Sequence, residues 1–145
     1  MKKKDIQNFI VENGLLSTIP ANSAGIYAIT IDGRVVYIGE SKNLAQRCAQ
    51  HIYNVENAML NQEKKYLLLL SAKLGGHKVD CELVETCNLE NRFERENYWI
   101  TTTKPILNKN IYCEKRQEID NLRIEDILNG EYYHLSYGWV KPIAC

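Results

Sequence analysis

Arg47 and His51 stand four residues apart, in a segment where Leu44, Cys48 and Ile52 recur at the same interval. On a helix this spacing places Arg47 and His51 on one face and the apolar residues on its neighbour, which can hold the helix to a sheet. A guanidinium fork matches phosphate oxygens in a bidentate way. A lone surface arginine is usually only solvated; two tyrosines in the preceding segment, Tyr27 and Tyr37, favour the phosphate reading. Glu96 is the other informative residue. Leu89, Phe93 and Ile100 fall at i, i+4 and i+11, and Glu96 occupies i+7 of that stripe. A carboxylate among apolar residues is costly unless a cation offsets its lost hydration. The cation is either an arginine in an internal ion pair or a divalent metal. Magnesium is often held by only one or two protein carboxylates, with water and phosphate oxygens completing its shell.

The elements that must position these groups follow from the pattern. Residues 25–31 (GIYAITI) and 34–38 (RVVYI) are rich in β-branched and aromatic residues, with Asp32-Gly33 between them, and read as a hairpin. A helix is expected from about Asn43 to beyond Tyr53, and a second, well buried, over 63–74, stopped by Gly75-Gly76. Val79, Cys81 and Leu83 alternate with polar neighbours as a third strand, and Asn88 can cap a helix reaching about Thr101. Ile6, Phe9 and Ile10 predict an N-terminal helix ending near Gly14. A short helix is expected near 115–128, before an aromatic tail containing Tyr132-Tyr133 and Tyr137-Gly138-Trp139. The expected fold is a single α/β domain over 1–145, with a small three-stranded, mostly antiparallel sheet flanked by helices. Residues 24–108 form its core, with helical or aromatic extensions at 1–23 and 109–145.

Four stretches appear in a telling order. They are Gly25-Ile26-Tyr27, then Tyr37-Ile38-Gly39, then Ser41-Lys42-Asn43-Leu44 leading to Arg47 and His51, and finally Glu96, Trp99-Ile100 and Pro105 to Asn108. In this order they resemble the GIY-YIG nuclease family over residues 24–108. Either tripeptide alone is a weak signal; the whole series is specific. The resemblance implies a metal-dependent endonuclease that hydrolyses DNA phosphodiesters, with water attacking phosphorus in line. It implies Mg2+ or Mn2+ on Glu96, Arg47 on the non-bridging oxygens, and Tyr27 as proton acceptor working with Tyr37 or His51. It gives Asn108 the task of orienting backbone or site waters. Glu40 departs from the basic residue found there in some members, and offers a second acid near the metal.

A site shared by both tyrosines constrains the hairpin. A two-residue Asp32-Gly33 turn in regular register pairs Ala28 with Tyr37 and sends Tyr27 to the opposite face. A three-residue loop, Ile31 to Gly33, pairs Thr30 with Arg34 and sets Tyr27 opposite Tyr37, with Gly33 at a left-handed position. The shared site asks for this second register or for a bulge.

Composition excludes several classes. Eighteen basic residues balance eighteen acidic ones, which argues against a broad polyanion binder. Residues 41–78 carry a net +4 and 80–96 a net −4, compatible with a basic surface beside an acidic metal helix. The longest apolar run, Tyr66 to Leu70, has five residues, far short of the roughly 20 a membrane span needs. No apolar block follows Lys2-Lys3-Lys4, so a cytoplasmic location is expected. Five cysteines without a CxxC pair read as reduced, packed thiols rather than as a zinc site built from His77, Cys81 and Cys87. DNA is the expected partner, with a protein partner for targeting also open. The alternatives are a catalytically weak DNA-binding module or a protein-interaction domain on the same fold.

Overall fold

Seven consecutive buried residues, Gly25–Ile31, form strand β1, an interior strand of the sheet. The computed structural model describes residues 3–13, 18–108 and 122–140. β1 is flanked by β2 (Arg34–Ser41) and β3 (Val79–Thr86), both antiparallel to it. Two further strands, β4 (Tyr132–His134) and β5 (Gly138–Val140), extend the sheet to the order β3-β1-β2-β4-β5. The sheet therefore has five strands, not three. The added strands arise from the aromatic tail. At three residues each they are too short to show a period in sequence, and β4 joins β2 through the single pair Arg34–His134. The Arg34 guanidinium lies 3.9 Å above the Tyr132 ring and reinforces that junction.

Helices cover both faces. On one side lie α1 (Lys3–Asn13), α2 (Leu44–Glu56), the short α3 (Ala58–Asn61) and α4 (Lys64–Leu74), packed against Tyr27, Ile29, Ile31 and Val36. α1 buries Ile6 and Ile10, and its Phe9 meets Tyr53 of α2 edge-on. Leu68 and Leu69 of α4 are buried, as its leucine run predicts, and Gly75 caps the helix. The other face, with Ile26, Ala28, Val35 and Ile38, is covered by α5 (Arg92–Thr103) through Ile100 and Trp99. A 3-10 turn, Leu89–Asn91, precedes α5, and Asn88 makes no side-chain cap there. A short α6 (Ile124–Asn129) overlaps only the end of the helix expected near 115–128: it starts after Arg123, whose backbone is extended, and residues 115–121 lie outside the described residues. The expected cap at Gly14, and Cys113 and Cys145, lie outside the described residues. Cys48 and Cys81 are buried free thiols. Among the described residues no group of three His, Cys, Asp or Glu is placed to hold a metal, and no helix is long and apolar enough to cross a membrane.

The hairpin resolves the register question in an unexpected way. Asp32 and Gly33 both have positive φ, 51° and 84°, and Ile31 pairs with Arg34, so the turn has two residues. The expected three-residue loop, with Thr30 opposite Arg34, is absent. Instead the register slips between Ile29 and Thr30: Ile29 pairs with Tyr37 and Thr30 with Val35, which leaves Val36 as a bulge. Val36 and Tyr37 then both face the α2 side, while Val35 and Ile38 face α5. Tyr27 lies opposite Gly39 rather than Tyr37, yet the two tyrosines share a face, with ring centroids 6.3 Å apart.

The bulge is held from a distant segment. Leu107 N–H donates to the Val36 carbonyl at 2.8 Å. The Asn108 side chain accepts from Ile38 N–H at 2.9 Å and donates to Ile38 C=O at 2.8 Å. Residues 107–108 thus take up the Val36 carbonyl at the bulge and the backbone groups of Ile38, where β2 runs beyond its pairing with β4.

Candidate active site

β1 and β2 carry the two tyrosines to the end of the sheet where α2 begins. Gly39 permits this. A Cβ at Gly39 would fall on the Tyr27 phenol, so only glycine lets that ring lie across β2. The α2 N-terminus is fixed by Asn43, whose side chain accepts from Gln46 N–H at 3.3 Å, and by Ser41, whose hydroxyl donates to Asn43 C=O at 2.8 Å. That start sets the helical phase that presents Arg47 and His51.

His51 is 1% exposed, and both of its ring nitrogens are engaged. Nε2 lies 2.6 Å from the Tyr27 hydroxyl and Nδ1 lies 2.8 Å from the Tyr66 hydroxyl. Burial, then the charges of Arg47 and Lys65, push the His51 pKa down to about 2, so the ring is neutral. Burial and the neighbouring Tyr37 raise the Tyr27 pKa, against the pull of Arg47. Tyr37 is also raised by burial, and Arg47 again opposes. Burial disfavours the charge on Arg47, but the oxygens of Tyr27, Tyr66 and Tyr37 outweigh it and hold its pKa above the ordinary value. Lys65 Nζ sits 4.5 Å above the Tyr37 ring and 4.8 Å above the Tyr66 ring. The tyrosines are therefore gathered, neutral, between two cations.

Arg47 lines an open cleft of about 360 Å³ with Glu40, Ser41, Lys42, Gln50 and Arg92. Its Nη1 donates to Gln50 Oε1 at 2.8 Å. Glu96 approaches the same end of β2 from α5, where it receives a hydrogen bond from the Glu40 backbone. Its setting differs from the stripe read in sequence. Leu89 and Phe93 are exposed, and the inward side of α5 carries Arg92, Glu96, Trp99 and Ile100. Burial, then the charge of Glu40, raises the Glu96 pKa. Glu40 Oε2 is buried; it lies 3.3 Å from Arg92 Nη1 in an ion pair, yet has no hydrogen bond among the described residues. Glu96, whose charge is disfavoured by burial and by Glu40, and the neighbouring Glu40, whose buried oxygen makes no hydrogen bond, suit a hard divalent cation completed by water and phosphate oxygens.

Tyr27, Tyr37, Arg47, His51 and Glu96 are thus brought to one end of the sheet, with Glu40 beside Glu96. Asn108 is not among them. Its amide is engaged by the Ile38 backbone, so it supports β2 rather than lining the cleft. Tyr66 is the site residue that sequence reasoning missed. Its signal was a tyrosine on the buried face of a helix, whose hydroxyl must find a partner.

No curated protein and no solved structure matches the chain. A family model for the GIY-YIG catalytic domain matches residues 23–111, more than half of the chain and every residue of the cluster just described. The chain belongs to the GIY-YIG family of nucleases.

Proposed function

We propose that the chain is a divalent-metal-dependent endonuclease that hydrolyses DNA phosphodiester bonds. The observation that carries this reading is the convergence of Tyr27, Tyr37 and Arg47 on one side of the β2 end with the Glu96–Glu40 pair at the same end. Arg47 is a donor-only fork at the edge of an open cleft, suited to two non-bridging oxygens of one phosphate. Tyr27, as phenolate, takes the proton of a water attacking phosphorus in line and becomes neutral. Arg47 supports that ionisation, since its charge acts against the burial and the neighbouring Tyr37 that hold the Tyr27 pKa above its ordinary value. Tyr37 stands beside Tyr27 and positions the water. Glu96, with Glu40, is the group that would hold Mg2+ or Mn2+. The ion, when bound, supplies positive charge to the leaving oxygen.

Lys42 and Arg92 line the same cleft and fit flanking phosphates. The balanced overall charge favours local phosphate contacts over a broad electrostatic footprint, so we propose that target choice depends on the segments outside 24–108 or on a protein partner. The test is incubation with supercoiled, branched and single-stranded DNA in magnesium or manganese, with the cut positions mapped. Metal-dependent cutting of any of these supports the reading. DNA binding without cutting points to the weak-nuclease alternative, and no binding at all defeats it.

A further inference from the structure

We infer that Tyr66 is a positioning residue that fixes His51 in the tautomer with its proton on Nε2, so that the neutral imidazole donates to the Tyr27 oxygen. The catalytic consequence rests on the nuclease reading; the tautomer does not. A neutral imidazole carries one ring proton, so of the two tyrosines at 2.6 and 2.8 Å one must accept and the other donate. The surroundings decide which. The Asn54 side chain donates to the Tyr66 oxygen, which leaves Tyr66 to direct its own proton to Nδ1. Tyr27 has a second acceptor within reach. Its hydroxyl is hydrogen-bonded with Tyr37, and its oxygen receives Arg47. The network therefore runs from Asn54 N–H to Tyr66, from Tyr66 O–H to Nδ1, from Nε2–H to Tyr27, and from Tyr27 O–H to Tyr37.

The groups facing the ring keep it neutral. Arg47 on its own helix and Lys65 on α4 are cations that disfavour a second. Tyr27 and Tyr37 from the sheet and Tyr66 from α4 present rings and hydroxyls. A small cavity beside the ring is lined by Lys73, Asp80 and Cys81, and Asp80 is itself paired with Lys78 at 3.3 Å. A ring whose protonated form is disfavoured by burial and by two cations is a poor base. As a donor it stabilises negative charge on Tyr27; with the opposite polarity it would engage the Tyr27 proton and oppose ionisation.

The experiment is a long-range 1H–15N spectrum of the full chain with 15N-histidine. The three histidines are told apart with His77→Gln and His134→Gln. The expected result is a neutral Nε2–H tautomer for His51, lost or mixed with Nδ1–H in Tyr66→Phe. In cleavage assays Tyr66→Phe should lower kcat about tenfold, the worth of one hydrogen bond, with KM for DNA unchanged. A wild-type Nδ1–H tautomer, an imidazolium at neutral pH, or an unaltered tautomer in Tyr66→Phe overturns the inference. If Tyr66→Phe does not fold, 3-fluorotyrosine in place of tyrosine makes each hydroxyl a stronger donor and must move the His51 Nδ1 signal; a fixed signal overturns it equally. A correct tautomer in a chain that cuts no DNA supports the inference and defeats the nuclease reading alone.

Discussion

Replacing His51 by glutamine should remove a pH dependence of folding whose size follows from the site. The imidazole has an ordinary pKa of 6.5 and one of about 2 when buried against Arg47 and Lys65. Between those values it is neutral in the folded chain and protonated in the unfolded one. Its contribution is therefore fully present above 6.5 and is lost progressively as the pH falls toward about 2. Integrating the difference from about pH 7 to about pH 5 gives a loss of about 2 kcal/mol attributable to this one ring. The His51→Gln chain will be less stable at neutral pH, because it cannot reproduce both tyrosine contacts. It should nevertheless lose about 2 kcal/mol less than the wild type on acidification over this interval. Urea unfolding of both chains at the two pH values measures the difference. Glu96 titrates in both chains and cancels. Equal acid sensitivity in the two chains would refute the claim that His51 is held neutral by burial and its cationic neighbours.

Three further outcomes are expected. Gly33→Val should cost about 1 kcal/mol or more in denaturant unfolding, because Gly33 has a left-handed φ of 84° and a Cβ there would strike the His134 ring; a neutral effect would refute this. Asn108→Ala should destabilise the chain by about 1–3 kcal/mol, since Ile38 N–H and C=O lose their buried partner, and loss of activity without loss of stability would instead mark Asn108 as a cleft residue. Glu96→Gln should raise the melting temperature in metal-free buffer near neutral pH. Burial and Glu40 raise the Glu96 pKa, so the folded chain disfavours its charge, and a lowered melting temperature would contradict that.

The parts of this arrangement that could be read from sequence are those set by local pattern. The β-branched runs around Asp32-Gly33 specify the hairpin, and the four-residue repeat of Leu44, Cys48 and Ile52 specifies α2 and the phase of Arg47 and His51. The register was not legible, because the bulge at Val36 depends on Leu107 and Asn108, which reach β2 only in the folded chain. Requiring both tyrosines on one face led to the right geometry through the wrong loop. The surroundings of Glu96 were misread because Leu89 and Phe93 look like core in a helical projection but point to solvent, while the inward side carries Arg92 and Trp99. Tyr66 was hidden in the apolar run Tyr66 to Leu70, since its partner His51 comes from another helix. The three-residue strands β4 and β5 leave no periodic trace.

The central claim is that Arg47 and a metal-binding Glu96 act on one phosphodiester beside Tyr27. Its most direct test is nicking of supercoiled plasmid in magnesium by the wild type, Arg47→Ala and Glu96→Gln, with folding checked by circular dichroism. DNA binding is measured separately in calcium. The wild type should nick, both variants should be inactive yet folded, and Glu96→Gln should still bind DNA. Full activity in either folded variant would contradict the account.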